Sequence, residues 1–457
     1  MDGTIRKILI ANRGEIACRI IRSCQKLGVR TVAIYSDADK NAMHVSLADE
    51  SQPVGPSAAR DSYLRAERVI AAVKLAGADA IHPGYGFLSE DCDFARAVIA
   101  AGFTWIGPTP QTIEDMGDKE RARMLVKAAG VPVLSGSARI MPDDLHGLAE
   151  TAADVGYPLL VKAVAGGGGI GMRRVDQPSE LEKTVRATQE FAAKSFGDPG
   201  VYLERYTEPA RHIEIQVFGF GDGRSVHLFE RECSIQRRFQ KIVEESPAPR
   251  LETASRDAMA AAATALVRQE RYAGVGTIEF VVDSLGGFYF LEMNTRIQVE
   301  HPVTEMITGR DLVELQIRLA SGEDLSALTQ ASIVASGHAV ECRIYAEDPS
   351  RNFLPSPGRL TAFEVPNSVP GIRIDTGFRE GDAITYYYDP MIAKVIAHGP
   401  NREAALSAMG AALDGFRIEG LKTNIGFLRK VLVHPEFRAG NSFTRFVDTY
   451  MTELLAN

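Results

Sequence analysis

Along most of the chain, the spacing of apolar and polar positions alternates between strand-like runs and helical periods. KILIA at 7–11 reads as a buried strand, and Ile16, Ile20, Ile21, Cys24 and Leu27 then recur at helical intervals until Gly28 closes the segment. TVAIYS at 31–36 is the next strand, so the order predicts a βαβ unit on a parallel sheet. The rhythm continues to about residue 114, with a helix over 62–76, a strand over 79–82 and a helix over 90–101. A helix then runs from Asp118-Lys119 to Ala129, where Gly130-Val131-Pro132 stops it. YPLLVKAVAGGGGIGMRRV at 157–175 predicts two strands around a glycine run, and HIEIQVF with SVHLFERE predicts a hairpin turning at Gly219–Gly223. An alanine-rich helix over about 252–271 follows. After Thr304 the pattern is helical to about Ala320, HAVECRIY at 338–345 is a strand, LPSPG at 354–358 a turn, and 402–414 a helix.

The densest chemistry lies between Gly276 and Glu305, GTIEFVVDSLGGFYFLEMNTRIQVEHPVTE. A Ser284-Leu285-Gly286-Gly287 loop between two β-rich runs predicts a hairpin. Pairing Asp283 with Phe288 across that loop sets Glu279 opposite Glu292, and facing residues lie roughly 4.5–5.5 Å apart. Two carboxylates that close repel one another unless they share a proton or a cation. If the chain stays extended, Glu292, Asn294, Arg296, Gln298 and Glu300 share one face, while Leu291, Met293, Ile297 and Val299 take the other. That face carries oxygen ligands for a hard cation, then a guanidinium for an anion, then a carboxylate able to act as a base. A solvated face with compensating charges is the plainer alternative.

Composition narrows the class. A chain of 457 residues exceeds one simple core and suggests two to four domains, and a net charge of −8 argues against a general nucleic-acid binder. The apolar run before Asn12 is too short for a signal peptide or a membrane span, so the expectation is a cytoplasmic protein with no membrane partner. The five scattered cysteines lack CxxC spacing and read as reduced thiols without a zinc site.

Other stretches carry weaker signals. The first βαβ unit lacks GxGxxG, which counts against a nicotinamide site. HPGYGFL at 82–88 lies at the carboxyl end of a strand, where ligands of open α/β sheets gather. Lys119 stands in the first turn of a helix, a poor place for a cation unless it serves an anion. Lys162 leads into Gly166, Gly167, Gly168 and Gly169, whose unhindered amides suit phosphate, although the GK[ST] ending of a Walker loop is missing. Gln236 to Lys241 is a basic cluster facing Glu244-Glu245 in sequence, and Arg343, inside an apolar strand, needs a partner.

Taken together, KILIANRGEIACRI, HPGYGFLSE, KAVAGGGGIGM, RHIEIQV, ERECSIQRR, EMNTRIQVEHPVTE, GHAVECRIYAEDP, DPMIAKVI and GLKTN resemble the biotin carboxylases, in order and over nearly the whole chain. The resemblance is to the free-standing subunit of acyl-CoA carboxylases, with acetyl-CoA carboxylase the type expected. It implies an α/β fold, α+β in places: a Rossmann-like domain over 1–114, an ATP-grasp domain over 115–330 with a mobile lid at about 133–205, and a C-terminal biotin carboxylase domain over 331–457. It implies ATP, magnesium (or manganese) and carrier-bound biotin. Lys119, Lys162 and the glycines 166–169 would hold phosphates, with Glu204, Arg205, Tyr206 and Thr207 as the hinge against adenine and His212, Gln236, Phe239 and Leu291 nearby. Glu279, Glu292 and Asn294 would ligate the metal. Lys241, Arg296, Gln298 and the Val299 backbone would hold bicarbonate, Glu300 would be the base, and Arg343 and Tyr85 would meet biotin, so that Glu300, Arg296, Lys241 and Arg343 form the catalytic set. Three residues depart from the family pattern: Phe239 replaces a histidine, Ile170 a basic lid residue and Arg205 a lysine. The carrier protein and carboxyltransferase are expected as separate chains, and the chain itself as a homodimer. The alternatives are another ATP-grasp ligase, or a biotin carboxylase serving urea, pyruvate or another acyl-CoA.

Overall fold

A computed structural model describes residues 5–165, 171–366 and 369–456. β1 (Lys7–Ile10), β2 (Arg30–Ser36), β3 (Glu50–Gly55), β4 (Ala80–His82) and β5 (Thr104–Trp105) form a parallel sheet in the order β3-β2-β1-β4-β5. The helices α1 (Gly14–Leu27), α2 (Met43–Leu47), α3 (Ala66–Ala76) and α4 (Cys92–Ala100) connect it. The predicted βαβ unit is present, and Gly28 ends α1 in the left-handed conformation. β3 escaped the apolar pattern because ESQPVG holds a single buried residue, Val54. The order reverses at β1 and β4, and there Asn12 donates to the carbonyls of Pro83 (2.7 Å) and Tyr85 (2.8 Å), tying HPGYG to the turn before α1.

α5 (Pro110–Gly117) and α6 (Lys119–Ala128) lead out of this sheet, and Asp118 caps α6 by accepting from the Arg121 amide at 2.9 Å. After α7 (Leu148–Val155), β6 (Leu159–Ala163), β7 (Met172–Val175) and β8 (Val201–Arg205) make a small sheet in the order β7-β6-β8, covered by α8 (Leu181–Phe196). Leu159, Val161, Val175, Leu181, Val185, Val201 and Leu203 give it a core of its own. The glycine run 166–169 and Ile170 lie outside the described residues.

The remaining long strands join one antiparallel sheet of eight. β9 (Arg211–Phe220), β10 (Ser225–Arg237), β11 (Gln240–Ser246), β12 (Ala273–Val282), β13 (Phe288–Asn294), β14 (His338–Tyr345), β15 (Ile372–Thr376) and β16 (Met391–Gly399) run in the order β13-β12-β9-β10-β11-β14-β16-β15. α9 (Thr253–Gln269) packs on β9 and β10. The helix expected to run unbroken to Ala320 is two, α10 (His301–Thr308) and α11 (Leu312–Ala320), because Gly309 turns left-handed and Asp311 caps a fresh start. Pairing of β11 with β14 carries the sheet across residue 330, so strands from before and after that point share one ladder.

The segment after β15 returns to α1. A Cβ added at Gly377 would come within 2.5 Å of the Gly14 carbonyl carbon and the Glu15 amide nitrogen. Gly377→Ala is therefore expected to lower stability by about 1–3 kcal/mol through overpacking. Urea unfolding measures it, and an unchanged midpoint would show that the joint yields without cost.

Candidate active site

Strand register assembles the site. Across the ladders, Glu292 on β13 faces Glu279 on β12, Glu279 faces Glu214 on β9, and Glu214 faces Arg231 on β10. Three carboxylates in one transverse row, two of them fully or almost fully buried, require cations close by. The Lys241 ammonium donates to Glu214 Oε2 (2.6 Å), Glu279 Oε1 (2.8 Å) and Glu300 Oε1 (2.6 Å). Arg231, with no exposed side chain, bonds Glu214 and also donates to Gln216 (2.6 Å), Thr304 (2.9 Å) and Gln298 Oε1 (2.6 Å). Arg343 bridges Glu300 Oε2 at 3.0 Å and Glu244 Oε1 at 2.6 Å.

Two β-bulges aim these groups. The central hairpin turns one residue tighter than expected: Asp283 donates its amide to the Gly287 carbonyl, and Val282, not Asp283, pairs with Phe288. A bulge at Leu291 then inserts one extra residue, so Glu279 and Glu292 still face each other. The expected pair forms by a different register. On β11, Gln236 pairs with Lys241 and Ile235 with Val243, which leaves Ile242 as the extra residue. Without it Lys241 and Glu244, three apart, would point to opposite faces; with it both reach the Glu300 side. The hairpin before β11 turns on Arg238 (φ 50°) and Phe239 (φ 65°), both left-handed. No glycine or asparagine advertises that turn, and the sequence shows only a basic cluster.

β13 ends at Asn294, so the chain does not stay extended as expected. Asn294, Gln298 and Glu300 converge nevertheless: Asn294 Nδ2 and Gln298 Nε2 donate to Glu279 Oε1 at 3.0 and 2.8 Å. Ile297 points the other way, into the core shared with α1. Arg296 donates to Asn294 Oδ1 (2.9 Å) and to Glu90 Oε2 (2.8 Å), which belongs to HPGYGFLSE. Val299 turns its carbonyl to the Lys394 ammonium at 2.7 Å, and Lys394 pairs with Glu15 Oε1 at 2.6 Å.

A cleft of about 370 Å³ gathers these groups between the eight-stranded sheet and the three-stranded one. Lys119, Lys162, Glu204, Arg205, Tyr206, Thr207, His212, Gln236, Phe239, Lys241, Glu279, Leu291, Glu292, Asn294, Arg296, Gln298, Val299, Glu300 and Arg343 all line it. Tyr85 does not; its hydroxyl bonds Glu15, one residue removed from the Lys394–Val299 contact. Lys162 donates to Glu204 Oε2 at 2.6 Å, Lys119 to the Ala163 carbonyl at 3.2 Å, and Phe239 is 59% exposed at its hairpin tip. His212 Nε2 lies 3.0 Å from Glu279 Oε2, with Gln236 2.8 Å from Nδ1. Glu90, Glu214, Arg231, Lys394 and Glu15 are not singled out by the sequence, and Glu244 stands there only as an acidic neighbour of the basic cluster. Glu214 and Lys394 sit mid-strand between apolar residues, and a charge inside an apolar strand, the argument applied to Arg343, is the signal that marks these two.

Electrostatics separates two kinds of carboxylate. Burial would raise the Glu300 pKa, but Lys241, Arg343 and Arg231 overcome it and hold the group well below the usual range. Glu279 is likewise held down against burial by Lys241 and His212. Glu292 moves up, through burial and then the charges of Glu279 and Glu90, and accepts no hydrogen bond among the described residues. Burial and neighbouring Lys162 bring Lys119 down to about 8, whereas Glu204 outweighs burial and raises Lys162. His212, Glu214 and Glu279 place ligand atoms within 4.8 Å of one another, but the Lys241 ammonium already bonds both carboxylates. Glu292, facing Glu279 and with no ion-pair partner among the described residues, suits a hard divalent ion better.

A parallel N-terminal sheet, a small antiparallel sheet beside a deep cleft, and a carboxylate row next to an anion-suited cluster define an ATP-grasp type of ligase fold. Three family descriptions match along the chain: biotin carboxylase, N-terminal domain, over 4–113; carbamoyl-phosphate synthase L chain, ATP binding domain, over 118–328; and biotin carboxylase C-terminal domain over 341–449. The chain belongs to the biotin carboxylase family. It is 49% identical to biotin carboxylase 1 of Bacillus subtilis (strain 168), over 98% of this chain and 99% of that one. It is 48% identical to the mitochondrial methylcrotonoyl-CoA carboxylase subunit alpha of Mus musculus, covering 99% of this chain but spanning only 63% of the mouse protein. The biotin carboxylase domain dimer of Hydrogenobacter thermophilus 2-oxoglutarate carboxylase, solved with MgADP, ADP and bicarbonate, superposes with a TM-score of 0.95 at 44% identity, over 99% of each chain.

Replacing Glu292 by Gln removes one of two facing carboxylates. In metal-free buffer Glu292→Gln is expected to stabilise the fold by about 0.2–1 kcal/mol, the usual size of a facing like-charge pair. Thermal melting checks this, and a large loss of stability without metal would refute the facing-pair account.

Proposed function

We propose that the chain carboxylates biotin, borne on a separate carrier protein, at the expense of ATP and bicarbonate. The observation that carries this reading is the convergence in one cleft of the Glu279–Glu292 pair with the Lys241–Glu300–Arg343 chain. Lys119 and Lys162 hold the phosphates of ATP, and the hinge from Glu204 to Thr207 borders its base, with His212, Gln236 and Phe239 close by. Glu279, Glu292 and Asn294 hold magnesium, which when bound supplies positive charge to the phosphate oxygens. Lys241, Arg296, Gln298 and the Val299 backbone bind bicarbonate, and Glu300 takes its proton so that the anion can attack the terminal phosphorus, displacing ADP and forming carboxyphosphate, which then breaks down to CO2 and phosphate. Arg343 stabilises the oxygen of biotin as its nitrogen gives up a proton to the released phosphate and bonds to the CO2, with Tyr85 near the ring.

Glu300 is a weak base while Lys241 and Arg343 both hold it. An arriving bicarbonate takes up part of the Lys241 charge, and a biotin oxygen part of the Arg343 charge. The basicity of Glu300 therefore rises only when its substrates are in place, which discourages idle ATP cleavage.

The acceptor of the carboxyl group is an acyl-CoA, a reading supported by the mouse relative, a methylcrotonoyl-CoA carboxylase subunit, with acetyl-CoA the acyl-CoA that the sequence motifs suggest. A 2-oxo acid acceptor is the second reading, supported by the Hydrogenobacter thermophilus match. Separate carrier and carboxyltransferase chains are supported by the match over 99% of the Bacillus subtilis protein, and a homodimer by the dimeric state of the solved domain. No helix among the described residues is long and apolar enough to cross a membrane. Identifying the chains that co-purify with the native protein decides the acceptor.

Glu300→Gln keeps the size and hydrogen bonding of the side chain but cannot accept the proton. It is expected to lower bicarbonate-dependent ATP cleavage about 10²–10⁴-fold while ATP binding persists. Near-normal turnover would remove Glu300 from the base role. Phe239→His restores a hydrogen-bond donor beside the nucleotide. The expected result is a KM for ATP lower by a few-fold, the equivalent of about 0.5–1.5 kcal/mol, with the KM for bicarbonate unchanged. A shift in bicarbonate kinetics instead would place residue 239 away from the nucleotide.

A further inference from the structure

The buried polar network continues behind Arg343. Glu244 on β11 and Glu341 on β14 face each other in the antiparallel ladder, and neither exposes any surface. Of the cations in reach, only Arg343 touches the pair, on the Glu244 side, and Glu341 has no ion-pair partner among the described residues. Arg343 touches Glu244 at 2.6 Å and Glu300 at 3.0 Å through one guanidinium nitrogen. Lys394, opposite Arg343 on β16 and wholly buried, gives its ammonium to Glu15 and to the Val299 carbonyl and makes no ion pair with Glu341. None of the four carboxylate oxygens of Glu244 and Glu341 receives an aligned hydrogen bond, since the Arg343 contact is charge against charge. Two ionised carboxylates facing each other in a dry site, with one cation against only one of them, repel strongly, and a single proton between them supplies the donor that Glu341 lacks and halves the charge.

We infer that Glu341 keeps a proton at neutral pH and shares it with Glu244, and that the single charge of the pair anchors Arg343 while Glu300 reacts. Glu341 is thus a positioning residue acting through Glu244. Arg343 has two carboxylate holders, Glu300 and Glu244. When Glu300 turns to a substrate, Glu244 is the holder that remains. A doubly charged pair would draw the guanidinium back from the cleft, and a neutral pair would release it. The charged groups acting on Glu341 agree: Glu244 from β11, Lys394 from β16, Arg343 on its own strand, and Glu300 just before α10. Burial raises Glu341 well above the usual range against the opposing Lys394, with the Glu244 charge adding to the rise; burial also brings Glu244 up to about 7.

The test has three arms, and only the last rests on the proposed biotin chemistry. Infrared difference spectra of the intact protein at neutral pH should show a carboxylic-acid C=O band that vanishes in Glu341→Gln. Native Glu341 holds a proton that the unfolded chain releases, so wild-type stability from this residue falls as pH rises from the usual glutamate range toward its native value. Glutamine has no proton to lose. The ratio of variant to wild-type folding constants should therefore climb with pH, by up to about tenfold per unit, from the usual glutamate range through neutral pH. Missing the band, or a variant that loses ground to wild type as pH rises, overturns the shared proton. In the third arm, Glu244→Gln should raise the KM for free biotin roughly 10- to 100-fold, the effect of losing one charged buried partner, with the KM for ATP unmoved. An unchanged KM for biotin, with the band present, overturns the anchoring of Arg343. A wild-type protein that cleaves no ATP would count against the proposed function and leave the first two arms to decide the proton.

Discussion

The Lys241 ammonium, held by Glu214, Glu279 and Glu300 at once, is the contact on which the cleft depends. A row of facing carboxylates on neighbouring strands would drive those strands apart in a low-dielectric interior. Lys241 and Arg231 neutralise the inner end of the row, and Glu292 at the outer end has no ion-pair partner among the described residues. The site is therefore balanced at one end and open at the other. That imbalance suits a centre that binds a divalent ion beside Glu292 and an anion beside Lys241.

Placing those groups required the sheet to break its own rules. Regular alternation puts Lys241 and Glu244 on opposite faces, and regular pairing from the observed turn would offset Glu279 from Glu292. One extra residue in each strand, Ile242 and Leu291, corrects both. Bulges cost ladder hydrogen bonds, and here they lie beside the reacting groups, where re-aiming a side chain is worth that loss. The left-handed Arg238-Phe239 turn belongs to the same pattern, a strained local choice held by the strands on either side.

Distant parts of the chain complete the cleft. Glu90, at the end of the HPGYG segment, holds Arg296, and Glu15 in the first turn of α1 holds Lys394, which in turn fixes the Val299 carbonyl. Because β11 pairs with β14, Arg343 is delivered next to Glu300 by backbone hydrogen bonding rather than by docking of a loose unit. The N-terminal parallel sheet thus supports a site whose carboxylate row lies on the eight-stranded sheet and whose remaining residues come from α6, the three-stranded sheet and the loop after β13.

The periodic signals were legible because they are local. Apolar spacing marks α1, β1, β2, β14 and the central hairpin, and motif content brought most of the cleft lining together by name before any fold was drawn. Glu279 facing Glu292 was legible too, although the turn was placed one residue away from where it falls and the bulge restored the pair. What sequence could not express is partnership between positions far apart along the chain. Lys241 reads as one more basic residue in a cluster until the β10–β11 turn and the Ile242 bulge swing it over the carboxylate row. Glu244 and Glu341, nearly a hundred positions apart, become a facing pair only through the register of β11 against β14. Residue identity and spacing determined which chemical groups the chain carries and which strands and helices it forms. Register, bulges and burial, which depend on contacts summed over the whole sheet, decided which charges meet and which are left without a partner.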